Sequence, residues 1–249
     1  MSAPISGNNL MLKGTARTIT EFFECCVSSI LYQRGVYPTT DFVSTRKYGG
    51  LSVMRTVNPS ARAYLDRSLP QLSEWLSQDK LKNLMVVLRS RDTEEVLERW
   101  QFDLKRDAEK DESSESTVPS PSDAVLAEQI RAILRQITAS TSFLPAFDVP
   151  PTFHIMSYAE DDVQIPSTWE DESPSSILIE GGGQHVRLRS FSTSAYNVSS
   201  LIAYRLDRSY EKNMFEDDKD SHNTSATSAK KRPVTKPADD DDNKKLKTH

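Results

Sequence analysis

Apolar positions recur along this chain with two periods, and the switches between them mark its elements. From Thr15 to Gly35, the apolar residues Ile19, Phe22, Phe23, Val27, Ile30 and Leu31 fall mostly at three- and four-residue steps. That spacing predicts a helix with a wide buried face. Gly35 stands where a C-cap belongs, and Pro38 stops any continuation. The stretch "LSVMRTV", 51–57, alternates and predicts a strand. Asn58 then offers an N-cap and Pro59 a first helical position to a second helix. Tyr64, Leu65, Leu69, Leu72, Trp75 and Leu76 give that helix its apolar face, and Pro70 inside it predicts a kink or break.

The continuous apolar run "LKNLMVVLRS" predicts a buried central strand, and "EEVLERWQFDLKR" predicts its hairpin partner across the charged turn "RDTE". An acidic, Ser-rich loop without apolar pattern fills 107–122. Ser122 can cap a third helix whose stripe is Val125, Leu126, Ile130, Ile133, Leu134 and Ile137. "TFHIMSY", 152–158, predicts a strand, and a polar connection with Pro166, Trp169 and Pro174 follows. After Gly181 to Gly183, the residues Val186, Leu188 and Ser190 alternate with Arg187, Arg189 and Phe191. "SLIAYRL" then predicts a partner strand, so the pair forms a closing hairpin. Three helices and six or seven strands, out of regular alternation, favour an α+β domain with its helices on one sheet face.

Composition adds a boundary. Hydrophobic residues are 37% of the 249 and charged residues 27%, with a net charge of −5. From Asp207 onward charge is dense and apolar residues are few, which predicts a disordered tail. The acidic balance argues against a dedicated nucleic-acid binder. No apolar run approaches the roughly 20 residues of a membrane span. The N-terminus lacks the apolar core of a signal peptide. Cys25 and Cys26 are adjacent within a helical apolar pattern, so they read as small buried side chains, and a reducing compartment is expected.

Chemistry is sparse. There is no phosphate-binding glycine loop: Gly181 to Gly183 precede no helical pattern and read as a hinge. No CxxC or HExxH occurs, so no metal site, cofactor or catalytic residue is expected. His154 has no identifiable nucleophile partner, and a position on the exposed face of a strand accounts for it. The run Asp239 to Asp242 lacks the spacing and glycine of a calcium loop and reads as a solvated patch. "KKRP", 230–233, and "KKLK", 244–247, suit either nuclear import or a solubilising tail. Trp75, Trp100 and Trp169 read first as core, although such side chains also serve as binding anchors.

Four blocks carry a resemblance: "EFFECCVSSILYQRGVYP", "LERWQFDL", "IRAILRQITASTSFLP" and "VRLRSFSTS". Their order and spacing, from about Leu10 to Tyr204, resemble the HORMA-domain proteins of the spindle-assembly checkpoint. "SILYQRGVYP" and "VLERWQFD" favour these over the looser translesion-polymerase and meiotic-axis relatives. The resemblance implies an N-terminal arm at 1–9, a HORMA domain at 10–206 and a mobile safety belt at 160–206, with 207–249 as tail. It implies no enzymatic activity. The function implied is capture of short peptides as an added strand beneath the belt, in open and closed forms, inhibiting the anaphase-promoting complex.

The partners it implies are a coiled-coil kinetochore receptor, the anaphase-promoting complex coactivator and other checkpoint subunits. An AAA+ remodelling ATPase with its HORMA adaptor and a second copy of the chain complete the set. It places the protein at the nucleus, kinetochore and nuclear envelope, and in the cytoplasm. Phe153, Ile155 and Trp169 would bind the peptide, and Arg135, Gln136 and Phe143 would form the dimer interface. Gly181, Arg187, Arg189 and Phe191 would belong to the belt. Three departures stand out: an extra glycine in "KYGGL", the divergent 107–122 loop and the long tail. The alternatives are a repair or meiotic HORMA scaffold, and an enzyme with an unrecognised site.

Overall fold

In a computed structural model, the described residues are 7–107, 122–160, 162–170 and 172–206. The expected tail and nearly all of the acidic loop lie outside them. Three helices and eight strands follow in the order α1 (Gly7–Gln33), β1 (Phe42–Lys47), β2 (Leu51–Thr56), α2 (Pro59–Ser77), β3 (Asn83–Ser90), β4 (Val96–Arg106), α3 (Asp123–Ala139), β5 (Pro151–Met156), β6 (Gln184–Arg187), β7 (Phe191–Ser192) and β8 (Tyr196–Tyr204).

The caps act as the sequence predicts. Gly35 takes φ +62°, and the Val36 N–H closes α1 on the Leu31 carbonyl at 3.0 Å. The Asn58 side chain accepts the Ala61 N–H at 3.1 Å, and Ser122 caps α3. Four points differ from the expectations or add to them. The helix α1 starts at Gly7, inside the expected arm. Pro70 neither breaks nor ends α2: its ring and Asp66, whose carbonyl loses a donor, both face solvent. Val125 is 48% exposed, in the first turn of α3 before that helix meets the core. Strand β1, "FVSTRK", has too few apolar positions to show a period, yet it pairs with β2 along its length. Tyr48, Gly49 and Gly50 turn that hairpin with φ of 49°, 76° and 98°, so both glycines of "KYGG" have a conformational use.

The main sheet is antiparallel, in the order β5-β3-β4-β8-β6, with β7 also on β8. Its two faces are covered differently. Leu84, Val86 and Leu88 of β3, Trp100, Phe102 and Leu104 of β4, and Val198 and Ile202 of β8 join the helices in one continuous core. Phe22 of α1 meets Phe102 and Phe191 edge-on, with centroids 5.5 and 4.7 Å apart. Cys25 and Cys26 are buried there with free thiols. The opposite face carries a small cluster of Met85, Val87, Val96 and Ile177, with Met156 and Ile179 at its margin.

Candidate functional site

Among the described residues, β5 pairs with another strand on one side only. The Pro150 and Tyr158 carbonyls accept from Arg91 and Lys82, so even-numbered backbone groups face β3. The odd ones, at Pro151, Phe153, Ile155 and Ser157, therefore face outward. Phe153 and Ile155 also direct their side chains to the helix side. Ile155 is buried there, so what it offers at the edge is backbone. Phe153 is half-buried, its ring 5.4 Å from that of Tyr64 and 6.2 Å from that of Tyr37. The three rings line a cleft of about 340 Å³, with Arg67 and Arg91 at its rim. His154 lies half-buried on the opposite face, where burial and the charge of Arg89 lower its pKa.

The chain after β5 makes contacts on both faces of the sheet. Ala159 bridges Leu81, and the Lys80 amine meets the Asp162 carboxylate at 2.5 Å. The Trp169 ring then packs on Trp75 of α2, 5.1 Å between centroids, on the helix side. Three residues on, Glu172 accepts from Arg89 at 2.8 Å on the other face. Trp169 and Glu172 thus hold opposite faces of the sheet, and among the described residues no backbone hydrogen bond joins either to β5. Beyond Glu172 it lies across the second face. Arg89 also donates to the Ser176 carbonyl at 3.2 Å, and Arg99 to that of Ile177 at 3.1 Å. Gly181 and Gly182, at φ 77° and 84°, turn it into β6 at the far edge of the sheet.

There the expected hairpin forms, with an irregularity that alternation cannot show. Arg187 pairs with Leu201 and Leu188 bonds to Ser200, but Phe191 pairs with Val198. One extra residue is accommodated between Leu188 and Phe191, which is a β-bulge. It turns Phe191 into the helix-side core, although the sequence sets it in phase with the exposed Arg187 and Arg189. The Arg189 N–H at the bulge is taken by the Gln136 side chain of α3 at 2.7 Å, and Gln129, two turns earlier, takes the Ser192 N–H at 3.1 Å.

A second surface lies on α3. The Arg135 side chain is 61% exposed, and its nearest carboxylate is Glu128 at 3.9 Å. Phe143 is 45% exposed just past the helix. A largely apolar groove of about 380 Å³ runs beside Arg135, between α1, α3 and the β1–β2 hairpin. Sequence reasoning missed Tyr64, Arg89, Arg99 and Gln129. Their partners lie 91, 83, 78 and 63 residues away, beyond the reach of any local pattern. Among the described residues, no group of His, Cys, Asp or Glu is placed to hold a metal, and no helix is long and apolar enough to cross a membrane.

Comparison with known proteins gives consistent results. The HORMA domain family model matches residues 15–196. The mitotic spindle assembly checkpoint protein MAD2A of Dictyostelium discoideum is 40% identical over 205 residues, covering 82% of this chain and 98% of that protein. The MAD2A of Homo sapiens is 37% identical over 197 residues, covering 79% and 93%. Among solved structures, a chain of a mitotic checkpoint complex superimposes with a TM-score of 0.67 at 35% identity, covering 78% of this chain and 99% of that one.

Proposed function

The chain belongs to the HORMA-domain family, alongside the mitotic spindle checkpoint proteins, and from that premise we propose that it is a spindle-checkpoint adaptor capturing a partner's peptide as an added strand on β5. One observation carries this reading: among the described residues the outer edge of β5 pairs with no strand, while Trp169 and Glu172 of the following chain hold opposite faces of the sheet. Strand addition supplies main-chain hydrogen bonds, and the Tyr37–Tyr64–Phe153 cleft supplies a side-chain pocket. A segment wrapped around the edge slows release because it must lift first. The partners are the kinetochore receptor and the coactivator of the anaphase-promoting complex, and the product is an inhibited complex. Exposed Phe143, Arg135 and the groove that Arg135 lines favour a second copy of the chain as a further partner, through α3.

The adaptor is non-catalytic on this reading, and it acts at the nucleus and kinetochore. The test is a titration with a fluorescein-labelled peptide spanning the checkpoint-binding motif of the coactivator from the same organism. One-to-one saturation with slowed amide exchange at Phe153, Ile155 and Ser157 is expected. Saturable binding that leaves those amides unprotected would place the peptide elsewhere and end the reading.

A further inference from the structure

The open edge of β5 is not bare. Pro151, at its first outward position, has no N–H to offer. The outward donors are therefore Phe153, Ile155 and Ser157. Of these, only the central one meets a protein acceptor among the described residues: the Ile155 N–H donates to the Tyr64 hydroxyl at 3.0 Å. Tyr64 reaches the edge from α2, with its ring held edge-on to Phe153. Burial pushes its phenol pKa up, so the hydroxyl stays neutral at physiological pH.

We propose that the Tyr64 hydroxyl is the gate of this edge: it caps the Ile155 N–H while the edge is empty and is displaced by a backbone carbonyl of the incoming strand. The inference rests on the capture reading above and adds the residue that sets its cost. A ladder hydrogen bond from the central outward N–H is required of any strand that pairs across the whole edge. One acceptor position in the plane of the sheet cannot hold both a phenol and a carbonyl. The arrangement also explains how an unpaired edge persists without recruiting a wrong strand, since proteins commonly blunt such edges. A strand with flanking contacts replaces the phenol, whereas one offering a lone carbonyl exchanges one hydrogen bond for another and gains little.

The test uses the full chain and the Tyr64→Phe variant, which keeps the ring against Phe153. Amide exchange at Ile155 in the peptide-free protein is expected to quicken about three- to tenfold, the equivalent of one net hydrogen bond. The dissociation constant for the fluorescein-labelled coactivator peptide is expected to fall by a similar factor. Both changes together are required, and either one alone overturns the gate. Equal capture by the two forms sinks the gate and leaves the capture reading standing. Capture by neither sinks that reading, and the gate with it.

Discussion

The two faces of the main sheet differ in how they are covered. On the helix face, large side chains from three helices and five strands of the main sheet interlock, with Trp100, Phe22, Phe23, Phe102 and Phe191 almost wholly buried. On the other face, three buried apolar side chains of the sheet, Met85, Val87 and Val96, meet Ile177 of a strap with little regular structure. Arg89 and Arg99 hold that strap through a carboxylate and two backbone carbonyls. Close-packed interiors resist removal of a single methylene, whereas a few charge-assisted hydrogen bonds can be exchanged for others or for water. One face is close-packed throughout; the other is the face that lifts on the proposed reading.

The comparison breaks most readily at the core. Phe102→Ala is expected to lower stability by about 3–5 kcal/mol, measured as a shift in the urea midpoint. Arg89→Ala is expected to cost about 1–2 kcal/mol, and only locally. Amide exchange should quicken at Ile177 and Ile179 while the global midpoint scarcely moves. Equal midpoint shifts in the two variants would mean the strap is as integral as the core.

Proton linkage sharpens the contrast, because a glutamate on each face titrates in the opposite sense. On the helix face, Glu98 is buried between Arg34 at 2.9 Å and the Trp100 indole N–H at 2.5 Å. Burial raises its pKa from 4.5 to about 7 against the pull of Arg34. The folded chain then holds that proton more firmly than the unfolded one, so stability should fall as pH rises from about 5 to about 7. Glu98→Gln should flatten that slope in urea midpoints taken across the range. On the strap face, the Arg89 hydrogen bond lowers the Glu172 pKa. Its contribution is complete above the ordinary value and lost as pH falls through the lowered one. Acid should therefore release the strap first, seen as quickened exchange at Ile177. The smallest effect on stability belongs to Arg135→Glu, within about 0.5 kcal/mol. Size-exclusion chromatography should nonetheless show loss of self-association, while a still-dimeric variant would remove α3 from the interface.

How much was legible in the sequence divides along the same line. Residues that build the helix face repeat at short range: the stripe of α3 and the run of β3 emerged from periodicity, and Asn58, Ser122 and Gly35 marked helix ends by local chemistry. Four blocks of resemblance supplied the family. What stayed hidden depends on chain brought from afar. Arg89 shows no sign of its partner in "VVLRSRD", and Tyr64 looks like one more apolar position of α2. The "VRLRSFS" alternation is real until Leu188, but the inserted residue reverses the phase that had put Phe191 with the arginines.

That inserted residue sets the parity of the closing hairpin. Side chains before it and after it count odd and even in opposite senses, and only so can exposed Arg187 and buried Phe191 share one strip of chain. Removing a single residue between Leu188 and Phe191 would not shorten a loop. It would turn an aromatic out to water or an arginine in toward the core. Any second position this hairpin adopts must therefore keep the same offset, or bury a different set of side chains.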